Sequence, residues 1–466
     1  MIISIPIEVK DRELYSKLLI CYHLLKREKK IKIVLTKSNI LLDDKINKKN
    51  IVYFEKSLSS HKQISQKKLL KQNFIINLDE EGPFYHWPIV FKKNRINSKI
   101  INKKNFKCFF LWGSNEKFFF KKNFLKNNKR KFVISGHPKF DYLKKKNHKF
   151  FSKEMKFIEK NFKNIILVSS SFFYDTVIDE DLYKIYIRDN IKDKKGVKQF
   201  FENFKYDFEN YVGLINLTKK IANKFKNHTI IFRPHPRQDI NKVKNRFGKI
   251  PKNLKIIYKF TSSPWIIKCN LYIHSHCATV YEALLLKKKI FCFRPNLKMM
   301  YEKKLTEYGE FYQDENKLIE MLDKQINKKK IKNNIFNSKI IYFNESGIDS
   351  SEIIAKKIIQ KFRKVKSEIK YNKINEKKNS HIKYFIFNLL SILKGFLYNN
   401  FKSFYLFLFK YSILKSKYIF TKDYKNNKIK SLQKGEINNF FKKIDNSNLK
   451  IYCKKINEKI FEIYRK

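Results

Sequence analysis

The chain has 466 residues, of which 43% are hydrophobic, so it can hold two or three domains with cores of their own and is too apolar for a disordered polymer. Its formal charge of +62 would attract nucleic acid or an anionic membrane surface. Lys, Asn, Ile and Phe are enriched together, as an A+T-rich genome would produce, so a solvated lysine surface explains much of this charge. No RNA-binding signature, zinc finger or basic zipper accompanies it, and nucleic-acid binding is therefore a minor alternative.

The six cysteines stand far apart, without the close pairs of a disulfide framework or a zinc site. This spacing fits a reducing compartment. The first residues form an apolar strand pattern that passes directly into charged residues, which is not the pattern of a signal peptide. We therefore expect a cytoplasmic protein.

The chain begins with a strand and a helix that form a βα unit. Ile2 to Ile7 reads as a buried strand and Arg12 to Leu25 as an amphipathic helix. The turn between them carries Glu8 and Arg12, which we expect to line the crevice at the strand ends. A solvated loop is the alternative. Further strands are predicted at residues 32–35, 51–54, 74–78 and 106–111.

Three acidic residues follow the strand at 74–78. Adjacent carboxylates at a strand end repel one another, which raises a carboxyl pKa and is typical of active sites. The alternative is an acidic cluster favoured by a helix N-terminus, but Gly82 and Pro83 argue against a helix there. The three residues are Asp79, Glu80 and Glu81.

Two further turns belong to this first part of the chain. Gly113 lies in a polar turn after the strand at 106–111, and His137 lies between a glycine and a proline after a short strand. We expect His137 to face the crevice. The Lys- and Phe-rich residues 144–163 are predicted to be a crossing helix and a linker.

Two strand-turn-helix units between Ile230 and Pro295 organise the second half. The first unit ends in Arg233-Pro234-His235-Pro236-Arg237, and the second passes through Ser275 to Thr279 into a helix that carries Glu282. Parallel strands buried on both faces bind ligands beyond their carboxyl ends, where hydroxyls, backbone N–H groups and arginines suit a phosphate. The pattern predicts a nucleotide pocket. Ordinary helix N-caps are the alternative.

His274 and His276 do not predict a metal site. Alternate residues at a strand end point to opposite faces, and no cluster of carboxylates or thiolates completes a ligand set. We expect no metal ion here.

These motifs carry a resemblance to a known family. The segments RPHP and HSHCATVYEALLLKKKIFCFRP, with IPIEVKDRELYSKLLI, LDEEG, FLWGSNEKFF, SGHPKFDYL and SSPWI in the same order, resemble the bacterial surface carbohydrate biosynthesis proteins. The chain is more distantly similar to capsule Kdo transferases and CDP-glycerol glycerophosphotransferases. The resemblance covers roughly the first 350 residues. Val280, Lys287 and Lys289 depart from the glycine, glycine and proline that are common in the family.

The resemblance implies an α/β protein with two Rossmann-like domains facing a cleft, the glycosyltransferase B fold. We expect residues 1–150 to form the acceptor and catalytic domain, 151–365 the nucleotide-donor domain, and 366–466 a basic, Phe-rich helical extension. The implied activity is a glycosyltransferase of capsule or lipopolysaccharide biosynthesis that moves a sugar from a nucleotide-sugar to a glycan or lipid-linked acceptor. No cofactor is required, and CMP- or CDP-linked donors are favoured.

The resemblance and the turns together assign roles to the candidate residues. Glu80 or Glu81 is the catalytic carboxylate, since glycosyl transfer needs a group that takes the acceptor proton or stabilises cationic character at the sugar. The expected donor contacts are Arg233, His235, Arg237, Ser275, His276, Thr279 and Glu282. The expected acceptor and cleft residues are Glu8, Arg12, Asp79, Gly113 and His137.

The tail contains apolar residues at helical spacing between positions 386 and 408, interrupted by lysines. It is too charged to span a bilayer, so the prediction is a helix on an anionic membrane surface, or equally a helical hairpin packed on the body. A peripheral position on the inner membrane would suit a lipid-linked acceptor. The alternative functions are a polyol-phosphate transferase of the CDP-glycerol type and a noncatalytic scaffold of polysaccharide assembly.

Overall fold

The computed structural model describes residues 1–37, 47–59, 62–80, 96–117, 120, 129–172, 194–236, 238–297, 308–327, 341–343, 347–370, 432–444, 449–457 and 459–465. Glu81, Arg237 and the Phe-rich segment 386–408 lie outside these ranges. Within them, no helix is long and apolar enough to cross a membrane.

The elements follow one another in the alternating order that the apolar runs predict. The strands are β1 (Ile2–Ile7), β2 (Lys32–Lys37), β3 (Asn47–Lys49), β4 (Val52–Glu55), β5 (Phe74–Leu78), β6 (Phe106–Leu111), β7 (Phe132–Ile134), β8 (Ile165–Ser169), β9 (Thr229–Arg233), β10 (Leu254–Ile256), β11 (Leu271–His274), β12 (Lys289–Phe293), β13 (Glu310–Tyr312), β14 (Glu368–Lys370), β15 (Ile451–Asn457) and β16 (Ile460–Arg465). The helices are α1 (Lys10–Arg27), α2 (Gln63–Leu69), α3 (Ser98–Ile101), α4 (Ser152–Asn161), α5 (Lys194–Lys224), α6 (Ile240–Phe247), α7 (Ser262–Lys268), α8 (Val280–Leu285), α9 (Glu315–Ile326), α10 (Ser350–Phe362) and α11 (Lys434–Ile444).

The first sheet has eight strands in the order β15-β16-β2-β1-β4-β5-β6-β7. Strands β2 to β7 in this order are parallel, and their side chains are almost entirely buried because the sheet is covered on both faces. Strand order reverses between β1 and β4. The carboxyl ends of these two strands therefore flank a crevice, into which the turn at Glu8 opens.

The edge of this sheet is formed by the end of the chain. Strand β16 pairs antiparallel with β2, with Phe461 opposite Leu35, and β15 pairs with β16. The tail was predicted to be helical; its described part contains helix α11 and also this hairpin, which the sequence analysis missed. The hairpin covers the otherwise open edge of β2.

The second sheet is parallel throughout and has the order β10-β9-β8-β11-β12-β13. This is the Rossmann order, in which the switch point lies between β8 and β11. The expected α/β architecture with two Rossmann-like sheets is confirmed. The domain boundaries at residues 150 and 365 stay a prediction.

Helix α10 follows the second sheet in sequence but packs on α1 beside the first. Its N-terminus is held by Asp141, whose carboxylate oxygens accept the backbone N–H groups of Ser350 (2.9 Å) and Ser351 (2.8 Å). Burial raises the pKa of Asp141 to about 6, an effect that the nearby Asp349 increases and these hydrogen bonds oppose. Asp141 thus joins the end of the first sheet to the returning chain.

Gly136 lies against the returning chain that leads into α10. Its φ is +74°, and a Cβ atom at this position would lie 2.4 Å from both Ser350 Oγ and the Tyr342 carbonyl oxygen. Only glycine adopts this backbone conformation without strain and leaves room for that carbonyl. Gly435, by contrast, has no atom within 4 Å of its Cβ position.

We expect Gly136→Ala to lower the free energy of unfolding by about 1–3 kcal/mol, through backbone strain and displacement of the Tyr342 carbonyl and the Ser350 side chain. Urea unfolding followed by tryptophan fluorescence measures the change. Gly435→Ala is the control and is expected to leave stability unchanged or slightly raised. Equal stability of the two variants would contradict the close approach at Gly136.

Candidate functional site

Glu80 lies at the carboxyl end of β5 and is buried between two basic side chains. Its Oε1 atom forms an ion pair with Lys17 Nζ, and its Oε2 atom lies 3.1 Å from His137 Nε2. Lys17 comes from α1, and its ammonium also lies 4.4 Å from the centroid of the Phe54 ring. Glu80 therefore connects α1 with His137, which caps the 3-10 helical turn Pro138–Leu143.

The surroundings of Glu80 favour its ionised form. Burial would raise the pKa of this carboxyl group, but the charge of Lys17, with the side-chain contacts of Lys17 and His137, holds the pKa well below its usual value. The raised pKa expected from the run of three acids is thus wrong for Glu80. A carboxylate this stable is a weak base, so Glu80 can orient His137 and Lys17 better than it can accept a proton.

His137 is neutral in this arrangement. Burial lowers its pKa to about 4 even though Glu80 acts in the opposite direction. Its Nδ1 atom accepts the Lys139 backbone N–H (3.1 Å), so Nε2 carries the proton and faces Glu80. The main chain therefore occupies Nδ1, and Nε2 lies at ion-pair distance from Glu80.

Trp112 forms the wall behind His137. The ring centroids are 4.5 Å apart, and the indole N–H of Trp112 donates to the Asp79 carbonyl oxygen (2.8 Å). Gly113 follows directly and is buried. The structure thus brings Asp79, Gly113 and His137 together in the interior, and their role as acceptor or cleft residues stays a prediction.

The turn after β1 holds a second charged cluster. Lys56 Nζ forms an ion pair with Glu8 and lies 3.5 Å from the buried carboxylate of Glu13. Burial would lower the pKa of Lys56, but Glu13 and Glu8 raise it overall. The Glu8 side chain keeps 26% of its surface exposed, and Arg12 is exposed at the start of α1. Glu8 and Arg12 are therefore charges at this turn that solvent reaches.

The second half of the site is built from hydroxyl groups at the switch point of the second sheet. Ser171 Oγ donates to the Ser275 carbonyl oxygen (2.6 Å), which joins the turns after β8 and β11. The Ser275 hydroxyl is fully buried and has no hydrogen-bond partner among the described residues. A buried polar atom of this kind needs an explanation, and a bound ligand is one.

Neighbouring residues of this turn are held internally. Thr279 Oγ1 lies 2.6 Å from the Tyr272 hydroxyl and 2.9 Å from Cys277 Sγ, so it does not cap the six-residue helix α8. His276 has a left-handed backbone with φ of 66°, and burial, with the charge of Arg294, lowers its pKa to about 3. The turn is thus strained and polar, as functional turns often are.

Arg233 supports the site rather than opening into it. Its guanidinium donates to the carbonyl oxygens of Lys259 (2.9 Å) and Phe260 (3.0 Å). Burial lowers the pKa of Arg233 to about 10, which leaves the group charged at neutral pH. His235 is partly buried, and its backbone N–H donates to Gln238 Oε1 (2.9 Å).

Glu282 marks the place where the two halves meet. Its carboxylate accepts hydrogen bonds from Ser262 (3.2 Å) and Ser263 (2.7 Å) at the start of α7. Ser263 also interacts with the Tyr142 hydroxyl, whose pKa burial and then Glu282 raise well above the usual value. The Pro138–Leu143 turn of the first half therefore packs on α8 of the second half and meets α7 through the contact of Tyr142 with Ser263.

Among the described residues, no group of three His, Cys, Asp or Glu side chains is placed to hold a metal ion. His274 is fully buried; its Nε2 lies 3.0 Å from the Tyr308 carbonyl oxygen, and its Nδ1 accepts the Cys277 backbone N–H (3.4 Å).

Sequence reasoning missed the lysines of the site. Three lysines are buried or partly buried beside the predicted acids, namely Lys17, Lys56 and Lys139. In so basic a chain, the sequence predicted that lysines lie on the solvated surface. For Lys17 a signal existed, since it lies within the apolar stripe formed by Leu14 and Leu18.

Removal of the Glu80 charge is expected to leave Lys17 buried without its partner. We expect Glu80→Gln to cost about 3–5 kcal/mol of unfolding free energy, and the double variant with Lys17→Met to recover most of this loss. Urea unfolding of both singles and the double measures the coupling. Glu320→Gln, which removes half of the exposed pair with Lys324, is the control and should change nothing measurable. Additive single effects at Glu80 and Lys17 would contradict the ion pair.

Stability should fall as the pH drops below neutrality. Burial lowers the pKa of His23, His137 and His274 to about 4 and that of His276 to about 3. Between pH 6.5 and 4 the unfolded chain binds protons that the folded chain refuses, so the free energy of unfolding decreases with falling pH. Asp141, with its raised pKa, acts in the opposite direction and offsets about one histidine.

The net effect between pH 6 and 5 is expected to be a loss of about 4 kcal/mol, measured by urea unfolding at each pH. His274→Gln should reduce this slope by about a quarter. A flat profile between pH 6.5 and 5 would show that these histidines are protonated in the folded protein.

No family model and no curated protein matches the chain. Among solved structures, it is similar to UDP-GlcNAc 2-epimerase from Neisseria meningitidis bound to UDP-GlcNAc (12% identity, 77% of this chain and 100% of that chain, TM-score 0.47). It is also similar to UDP-GlcNAc 2-epimerase from Methanocaldococcus jannaschii in complex with UDP-GlcNAc and UDP (16%, 77% and 100%, 0.47) and to the wall teichoic acid polymerase TagF (12%, 69% and 79%, 0.38). These enzymes have the glycosyltransferase B fold that the sequence resemblance implied. The two-sheet architecture of this chain is shown by its own strand order.

Proposed function

We propose that the chain is an enzyme of bacterial surface-carbohydrate assembly that transfers a sugar from a nucleotide-activated donor to a glycan or lipid-linked acceptor. The observation that carries this proposal is the meeting of carboxyl-end turns from two Rossmann-like sheets, at the contact of Pro138–Leu143 with α7 and α8. Ligands of such sheets bind at these ends. A site with one wall from each sheet suits a reaction of two substrates.

The donor half of the proposal is the hydroxyl-lined switch point of the second sheet. The buried Ser275 hydroxyl lacks a partner among the described residues, and Ser171 fixes the turn that carries it. A nucleotide phosphate or ribose would supply the missing hydrogen bond. Glu282, which already accepts from two serines, would position this turn.

The acceptor half is the charged crevice of the first sheet. Glu80 is buried and held ionised, whereas Glu8 is partly exposed beside Lys56. We assign the general base to Glu8 and the positioning of His137 to Glu80. In the transfer, the acceptor hydroxyl gives its proton to Glu8, its oxygen bonds to the sugar, and the bond from the sugar to the nucleotide phosphate breaks.

The same crevice would serve a CDP-linked polyol phosphate, the alternative that the resemblance to CDP-glycerol glycerophosphotransferases leaves open. In that reaction the acceptor oxygen attacks phosphorus, and CMP leaves. A scaffold without catalysis would need no nucleotide, and a titration with nucleotides separates it from both enzymes.

We expect the wild-type chain to be stabilised against heat by one or more of CMP, CDP, UDP, GDP and dTDP, in a concentration-dependent way. Ser275→Ala should weaken binding of the preferred nucleotide about three- to tenfold, since one hydrogen bond is lost, and should leave the stability of the free protein unchanged. Ser4→Ala, which removes another fully buried hydroxyl without a described partner, far from the turn, is the matched control.

Turnover assays with a nucleotide-sugar and with CDP-glycerol then separate the two enzymes. A folded wild type that binds none of the five nucleotides would overturn the proposed function. Equal weakening of nucleotide binding by Ser275→Ala and Ser4→Ala would contradict the placement of the donor pocket at the switch point.

A further inference from the structure

Lys139 lies between the two halves of the candidate site, within the Pro138–Leu143 turn. Its ammonium nitrogen is 4.5 Å from the centroid of the Trp112 ring and 4.9 Å from that of Phe140. Its backbone N–H donates to His137, the residue beside Glu80. The two ring faces and the fixed main chain hold the ammonium in one place.

Among the described residues, Lys139 differs from the buried lysines, because its ammonium contacts aromatic rings and not a carboxylate. The four buried lysines of the described residues each form an ion pair, namely Lys17 with Glu80, Lys56 with Glu8, Lys144 with Asp349 and Lys289 with Glu310. Lys139 is partly buried, and its described contacts are the two rings. Burial lowers its pKa, while the more distant carboxylates of Glu282 and Glu80 act in the opposite direction.

The position of Lys139 between the two sheets suits contact with an anion that enters from the crevice. The carboxylates that act on it come from both sheets, Glu282 from the second and Glu80 from the first. Both are already occupied, Glu282 by two serines and Glu80 by Lys17 and His137. An anion that enters the crevice between the sheets would therefore meet an ammonium with no other direct carboxylate partner among the described residues.

We propose that the Lys139 ammonium binds a phosphate group of the donor nucleotide and stabilises the negative charge that this phosphate gains when its bond to the transferred group breaks. This inference rests on the proposed function. It assigns to the first half of the chain a contact with the donor, which the sequence analysis placed in the second half alone. The donor would then be bound only where both halves are assembled.

The test compares Lys139→Met with Lys139→Arg and with a control, Lys145→Met. The control removes an exposed lysine close in sequence and changes the net charge by the same amount. The dissociation constant of the nucleotide that wild type binds most tightly is measured by calorimetry, beside that of its nucleoside. We expect Lys139→Met to weaken nucleotide binding about 10- to 100-fold and Lys139→Arg less than Lys139→Met, while Lys145→Met stays within about twofold of wild type.

Two further readouts separate a phosphate contact from a structural effect. Nucleoside affinity should be the same in wild type and Lys139→Met, and the salt dependence of nucleotide binding should be shallower in the variant because one charge contact is lost. If Lys139→Met does not fold, Lys139→Gln is measured in the same way.

Unchanged nucleotide affinity in a folded Lys139 variant would overturn this inference and leave the proposed function standing. Equal losses for nucleotide and nucleoside would overturn it as well, since they would indicate a distorted pocket. A folded wild type that binds no nucleotide would overturn both the inference and the function on which it rests.

Discussion

The Asp141 carboxylate ties the returning chain to the first sheet, and the candidate site depends on this connection. It accepts two backbone N–H groups at the start of α10, which would otherwise lack partners in a buried helix end. The same short segment carries Gly136 against the returning chain, His137 against Glu80, and Tyr142 against Ser263. One segment thus positions Glu80 of the first half and Ser263 of the second.

The interior charges show how so basic a chain remains folded. Among the residues that the structure describes, four lysines are buried, and each of them forms an ion pair with a carboxylate. Buried ion pairs contribute little net stability, although removal of one partner is costly. Their effect here is to fix geometry: Lys17 and Glu80 join α1 to the end of β5, and Lys56 joins β4 to the turn at Glu8. Geometry of this kind is what an active site needs.

The sequence predicted the parallel strands because their apolar runs are continuous, and it predicted the polar turns because these follow the runs directly. It missed the hairpin of β15 and β16, since pairing of Phe461 with Leu35 joins residues more than 400 positions apart and has no local signal. It also misjudged the pKa of Glu80, because the adjacent acids were visible and Lys17 was not recognised as their neighbour in space. The sequence failed to predict the contacts of Arg233 with backbone carbonyl oxygens for a similar reason. Residues 259–260, which carry these carbonyls, approach Arg233 only in the folded chain.

The central claim is that the turns at the carboxyl ends of both sheets form one ligand site. Hydrogen exchange with and without a saturating nucleotide tests it most directly, because exchange reports the protection of each backbone segment separately. The account predicts slower exchange in the segments 169–172 and 275–280 of the second sheet and, at the same ligand concentration, in 136–143 of the first. Protection confined to the second sheet, or located away from the carboxyl ends of both sheets, would contradict it.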